Sequence, residues 1–337
     1  MKNKSKLRVY YWDNCRFILM MMVIFIHSSN AYGWTWWKSL TQPFYITYLM
    51  CAFTMISGFW YKQRSTKYIL THLFFPFLIF SSFNIFLRKV FAEDTPVGGG
   101  GDYYIGQIGY AMWYIWALFL YYMLFTVVAK RIRSGILLFI ALIISVLAGV
   151  FEITNYIELK RVTYFFPFFI LGFMLCKYGS AWLERQRKKP LVWLILLMTM
   201  SIVAVILQNN VFNIVKFAVG KAYIHGMSDV AYHLFTIMFS VVMAISFIIV
   251  VPDKKMLISV YGRRTLNAYL LHMSIIMPFG WYLSRNYATE WYGYVWNLFI
   301  IPSSCLVLFT IFVDRRMNII LSIPDILKEQ NQNERLR

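Results

Sequence analysis

Long, nearly unbroken apolar runs recur along the chain at residues 15–31, 42–60, 68–87, 108–128, 134–151, 162–176, 191–208, 230–251, 265–283 and 293–313. Most approach the ~20 residues that a helix needs to cross a hydrocarbon core; the first and sixth are the shortest for that task. None alternates apolar with polar residues, as strands of a membrane barrel do. The pattern predicts an all-α polytopic membrane protein of about ten transmembrane helices.

Basic residues set the orientation. With the N-terminus placed in the cytoplasm and sides alternating, 25 of the 33 Lys and Arg fall inside and 8 outside, while the 14 acidic residues divide evenly. This follows the positive-inside rule and predicts cytoplasmic N- and C-termini in the plasma (inner) membrane. The expected organisation is a cytoplasmic segment 1–11, a membrane domain 12–321 and a cytoplasmic tail 322–337. The first helix has a basic leader, and with nine more runs behind it, it is expected to stay attached as an anchor. Between the third and fourth runs, Gly98 to Gly101 mark a linker on the outer side.

Composition agrees and excludes alternatives. The chain is 60% hydrophobic, 20% aromatic and only 14% charged, too apolar for a soluble enzyme or a disordered protein. The net charge of +19 would suggest nucleic acid on a soluble protein; here it is accounted for by topology, and no nucleic-acid partner is expected. Cys15, Cys51, Cys176 and Cys305 have no paired spacing and read as small apolar residues. No metal site, phosphate loop, nucleophile elbow or internal repeat is visible.

Ionisable residues inside spans cost several kcal/mol, so they are functional candidates by default. The first helix carries Asp13, Arg16 and His27. Arg16 and His27 are eleven residues apart, close to three full turns, so they share a face with an axial separation of about 16 Å. Asp13 stands one turn from Arg16 and can pair with it. A neutral imidazole can take a proton from a hydroxyl near pH 7, which makes His27 the candidate general base. The ninth run opens with Gly262-Arg263-Arg264-Thr265 and continues to Tyr269 and His272. Thr265, Tyr269 and His272 share a face; Gly262 suits a tight turn and Thr265 an N-cap. Arg263 and Arg264 are either an anion site at a helix start or topology charges alone. Arg161 opens the sixth span, and Trp113 and Trp116 are belt or packing residues. His72, His225 and His233 are read as structural or solvated.

Several of these segments together resemble acyltransferase family 3, integral-membrane O-acyltransferases, and most closely its fucose O-acetylase-like branch. The opening Trp12 to Ser28 is similar to the family's D-x-x-R followed by ten residues and a His. Met55 to Lys62 resembles its S-G-F element, Met112 to Tyr122 its W-Y/F-L helix, and Arg161 to Leu175 its R…F-x-P-F-F-x-x-G helix. Gly262 to His272 resembles its G-x-x-S/T-L-x-x-Y-x-x-H helix. The resemblance spans about residues 12 to 313. It implies an enzyme that moves an acyl group, usually acetyl, from cytoplasmic acyl-CoA to a hydroxyl of a surface polysaccharide or its lipid-linked precursor. His27, Arg16 and Asp13 would be catalytic; Arg161, Arg263, Arg264, Tyr269, His272 and Trp113 would contribute to the acyl-CoA or acceptor site. Acetyl-CoA, a carbohydrate acceptor and membrane lipids are the expected partners, with no metal. A transporter or flippase for a lipid-linked sugar is the competing reading, because it too needs many spans and intramembrane charge.

Overall fold

The computed structural model describes residues 10–30, 36–91, 111–128, 131–151, 157–262 and 265–286, with isolated positions 295 and 304. Among these residues there are helices and no strands. The long helices are α1 (Tyr10–Asn30), α2 (Trp36–Phe59), α4 (Phe75–Phe91), α5 (Trp113–Val128), α6 (Ser134–Val150), α7 (Leu159–Tyr178), α9 (Pro190–Asn210), α11 (Met227–Val250) and α13 (Thr265–Asn286). Short helices join them: α3 (Thr66–Ile69), α8 (Ser180–Gln186), α10 (Ile214–Ala218) and α12 (Leu257–Tyr261). Long helices thus occupy the first nine apolar runs among the described residues. The tenth run, the Gly98–Gly101 linker, the tail and Cys305 lie outside them.

Four helical stretches are long and apolar enough to cross a membrane: Thr66–Leu87, Leu159–Tyr178, Pro190–Asn210 and Met227–Val250. Trp113–Val128 and Ser134–Val150 are apolar but shorter. Side-chain distribution points the same way. On α6 and α9 the large apolar residues face outward, with Phe139 65% and Ile195 59% exposed. Apart from Leu137 and Leu197, the inward faces instead carry small residues: Ala141, Ser145, Ala148 and Gly149, or Ser201 and Ala204. Large residues outside and small ones at helix contacts are the reverse of a water-soluble bundle and fit a lipid surround.

The stretch from α3 to α4 is one helix interrupted by a π turn at Leu70–Phe74, where the Phe75 N–H reaches back to the Leu70 carbonyl. Pro76 follows at once. Its missing N–H and its ring cannot be accommodated over the His72 carbonyl in an α-helix, and the wider turn relieves that conflict. His72 stacks on Tyr68 with ring centroids 4.0 Å apart. His233 is buried and joins α11 to α6 through a 2.8 Å bond to Ser145.

Helices α2 and α7 form the centre. They cross through two reciprocal glycines. A Cβ built on Gly58 would lie 2.8 Å from the Phe169 carbonyl carbon; one on Gly172 would lie 2.7 Å from the Met55 carbonyl carbon. Only hydrogen at both positions lets the two backbones touch, the small-residue contact of membrane helices. Helix α1 packs against α2, α12 and α13, and α13 packs on α4.

Candidate active site

Helix α1 presents Arg16, Met20 and Val23 on one face, and that face continues to His27. The first three line a pocket of about 630 Å³, its open mouth included, between α1, α2, α5 and α13. The other walls include Phe53 and Ser57 of α2, Tyr114 and Ile115 of α5, and Thr265 and Tyr269 of α13. The wall is mostly apolar with a few fixed polar groups, as in small-molecule sites. Among the described residues, Arg16 is the only arginine or lysine in its lining.

The polar groups are oriented by the backbone. The Tyr114 hydroxyl donates to the Phe53 carbonyl at 3.1 Å and accepts from Ser57 at 2.7 Å. The Tyr269 hydroxyl donates to the Ala111 carbonyl. Arg16 pairs with Asp13 at 3.8 Å; the aspartate is buried and the arginine 35% exposed at its side chain. Asp13 does not line the pocket. It holds the arginine, and its own backbone is pressed against Gly262.

That contact revises the expected part of Gly262. Its φ of −57° and ψ of −21° are ordinary helical values, so no special turn needs glycine there. A Cβ would lie 2.9 Å from Asp13 Cα, so glycine is needed for close approach. The Thr265 hydroxyl donates back to the Gly262 carbonyl at 3.3 Å, and the two residues before it lie outside the described residues.

The two histidines meet. His27 of α1 and His272 of α13 lie with ring centroids 5.2 Å apart. His272 Nδ1 is 2.7 Å from the Tyr269 carbonyl, an acceptor, so the neutral ring carries its proton on Nδ1 and offers a lone pair at Nε2. Tyr269 lies 5.9 Å from His272, centroid to centroid, and the same distance from Tyr114. Neither histidine lines the pocket itself. The pair stands about one turn beyond Val23 and Tyr269, at the far end from Arg16.

Arg161, in the first turn of α7, is also at this end. Its Nε lies 3.4 Å from Glu158 and its guanidinium 5.2 Å from the centre of the Trp113 ring, which stacks on Phe165 at 5.0 Å. Trp113 is therefore a packing residue that also steadies the arginine. Arg161 and Lys221 are both within electrostatic range of His27. Trp116 packs on Phe119 and Phe77 and donates to the Ile157 carbonyl at 2.9 Å.

The structure places Arg16 and Tyr269 in the pocket wall, and His27, His272, Arg161 and Trp113 beyond it at the histidine end. Arg263 and Arg264 lie outside the described residues. Ser57, Tyr114 and Lys221 are at the site although sequence reasoning did not single them out. The first two sit within the S-G-F and W-Y elements, but their inward direction depends on helix packing. Among the described residues, no three His, Cys, Asp or Glu gather as a metal site.

A family-wide match decides the class of protein: the acyltransferase domain of acyltransferase family 3 matches residues 9–313. The chain belongs to that family. No curated protein and no solved structure matches it. The match covers every helix described above, so the pocket and the histidine pair lie inside the acyltransferase domain. A membrane acyltransferase needs a group that removes a proton from the acceptor and a chamber that holds a thioester or ester against it. In this acyltransferase the histidine pair and the adjoining pocket are suited to those two tasks.

Proposed function

We propose that this acyltransferase spans the plasma membrane ten times, with both termini in the cytoplasm, and moves an acetyl group from cytoplasmic acetyl-CoA to a carbohydrate hydroxyl. The acceptor is a surface polysaccharide or its lipid-linked precursor, as in the fucose O-acetylase-like branch. The observation that carries the reading is the meeting of His27 and His272 about one helical turn beyond a pocket lined by Arg16. The +18 net charge assigned to the cytoplasmic side favours the polyanionic CoA there. Arg16, steadied by Asp13, attracts the donor at the pocket's mouth, and the apolar walls take its acyl arm.

At the histidine pair the chemistry is a direct transfer. The imidazole of His27 accepts the proton of the acceptor hydroxyl as the oxygen attacks the thioester carbonyl. The resulting tetrahedral intermediate collapses, the C–S bond breaks, and the imidazolium returns its proton to the departing thiolate. His272 fixes the arrangement, because its Nδ1–H is committed to the Tyr269 carbonyl and its Nε2 remains an acceptor. In this scheme Tyr269 belongs to the framework, since its own hydroxyl is bonded to Ala111.

The test is His27→Ala in membranes supplied with radiolabelled acetyl-CoA and surface glycan. Label in the glycan should fall by about 10²–10⁴-fold while the variant remains folded and at the same abundance. Full turnover by folded His27→Ala protein would overturn the assignment. Passage of the sugar across the membrane without acetylation would instead support the transporter reading.

A further inference from the structure

Four hydroxyls line the pocket beside α1, those of Ser57, Tyr114, Thr265 and Tyr269. Each has given its proton to the protein. The Tyr114 hydroxyl donates to the Phe53 carbonyl at 3.1 Å, which leaves the 2.7 Å contact with Ser57 to the serine's proton. The reverse order, Tyr114 donating to Ser57, would make one bond in place of two. The Thr265 hydroxyl donates to the Gly262 carbonyl at 3.3 Å, and the Tyr269 hydroxyl to the Ala111 carbonyl. A hydroxyl whose proton is committed keeps acceptor capacity on its oxygen. Toward a ligand these groups are therefore acceptors.

The remaining wall narrows what can use them. Among the described residues, Arg16 apart, it is hydrocarbon and thioether, from residues such as Met20, Met50 and Leu118. A sugar ring, with a hydroxyl on most of its carbons, would bury several of them there without partners, at a cost for each. A carbonyl or ether oxygen set against Ser57 would bring lone pairs against lone pairs. A methylene chain broken by an isolated N–H suits both parts of the wall, with hydrocarbon against hydrocarbon and one donor against one acceptor. Ser57 is held for this from a second helix: its bond ties α2 to α5, and Tyr114 is tied back to the Phe53 backbone. The serine oxygen is thus oriented before a ligand arrives.

We infer that Ser57 accepts a hydrogen bond from a secondary-amide N–H in the arm that carries the acyl thioester, and so selects an amide-linked donor over an amide-free donor of the same shape. The inference rests on the proposed use of this pocket for the donor. Tyr114 is the positioning residue: by taking the serine's proton it keeps the serine an acceptor. The bond lies away from the reacting carbon, so it acts on donor affinity more than on the chemical step. The arm of a CoA thioester carries two secondary amides, and the experiment identifies which of them meets Ser57.

The test is amide-to-ester replacement, which exchanges an N–H for an oxygen and leaves the carbonyl and the chain length alone. Full-length protein in detergent is titrated with acetyl-CoA and with two analogues, each with one amide nitrogen replaced by oxygen. No acceptor is added, so binding is read without turnover. Wild-type protein should bind acetyl-CoA about 10-fold more tightly than at least one analogue. Ser57→Ala should lose that preference. Ser57→Cys keeps the shape of the side chain but offers a sulfur that accepts only weakly, and should lose most of it. Equal binding of all three ligands by the wild type overturns the inference, and so does a preference that survives in both variants. Failure of acetyl-CoA to bind at all overturns it together with the donor reading. Acetyl transfer to glycan, measured with the same ligands, separates the two. Transfer with no amide preference refutes the Ser57 contact and leaves the enzyme reading intact; amide preference without any transfer does the reverse.

Discussion

Replacing Gly172 with Ala should destabilise the bundle by about 2 kcal/mol net, and the reasoning runs through the α2–α7 crossing. The new methyl group would lie 2.7 Å from the Met55 carbonyl carbon and 2.9 Å from its Cα, where real Cβ contacts are wider than 3.0 Å. Both partners are main chain, so no side chain can turn away. The helices must part by roughly 1 Å, which forfeits dispersion contacts along the whole crossing. Overpacking of this kind typically costs about 1–3 kcal/mol and more where nothing can yield. Against it stands the gain of up to about 1 kcal/mol that alanine has over glycine inside a helix. Gly58→Ala meets the Phe169 backbone at the same crossing, so the double variant should lose less than the two single losses together. Gly135→Ala is the control, because nothing lies within 4 Å of its Cβ. Unfolding in mixed micelles, followed by tryptophan fluorescence, measures the wild type and all four variants. If Gly172→Ala were as stable as the wild type, or the two glycine losses simply added, the proposed backbone contact would be wrong.

Other expectations concern single groups. His272→Ala should lower kcat for acetyl transfer about 10²-fold with little change in the acetyl-CoA Michaelis constant, whereas His272→Asn, which keeps a donor for the Tyr269 carbonyl, should recover part of it; equal rates in the two variants would remove the positioning role. Ser145→Ala should cost about 1–3 kcal/mol of stability by leaving the buried His233 without its α6 partner, and should not alter kcat in protein that remains folded.

Much of the helix plan was readable from apolar runs, since lipid rewards continuous apolar length wherever it occurs. The stripes Arg16–His27 and Thr265–Tyr269–His272 were also readable, because helical periodicity is a local property. Their encounter was not. Nothing in either stripe says that α1 and α13 pack side by side with the two histidines at one level. The reciprocal glycines at 58 and 172 were hidden for the same reason: each looks like an ordinary glycine until the partner backbone is in view. Lys221 was counted only as an outer charge, because its approach to the start of α7 depends on the left-handed Gly220.

The fastening of the first turns of α1 has a consequence for the distant histidine. The Tyr11 hydroxyl bonds to the Ile248 carbonyl, and Asn14 Nδ2 donates to the carbonyls of Pro252 and Lys254 at 3.0 and 3.1 Å. Ser259 donates to Asn14 Oδ1 at 2.6 Å, and Arg187 covers the Tyr11 ring while bonding to Asp253 at 2.8 Å. Together these bonds act as an indexing pin for a rod. A slip of one residue along the rod would turn His27 by about 100° and carry it 1.5 Å, away from His272. Asn14 and His27 are thirteen residues apart, about 20 Å along the axis. The short helix α12 around Ser259 therefore sets the aim of an imidazole near the far end of α1, and its loss would read out as misalignment of the histidine pair with every site residue still present.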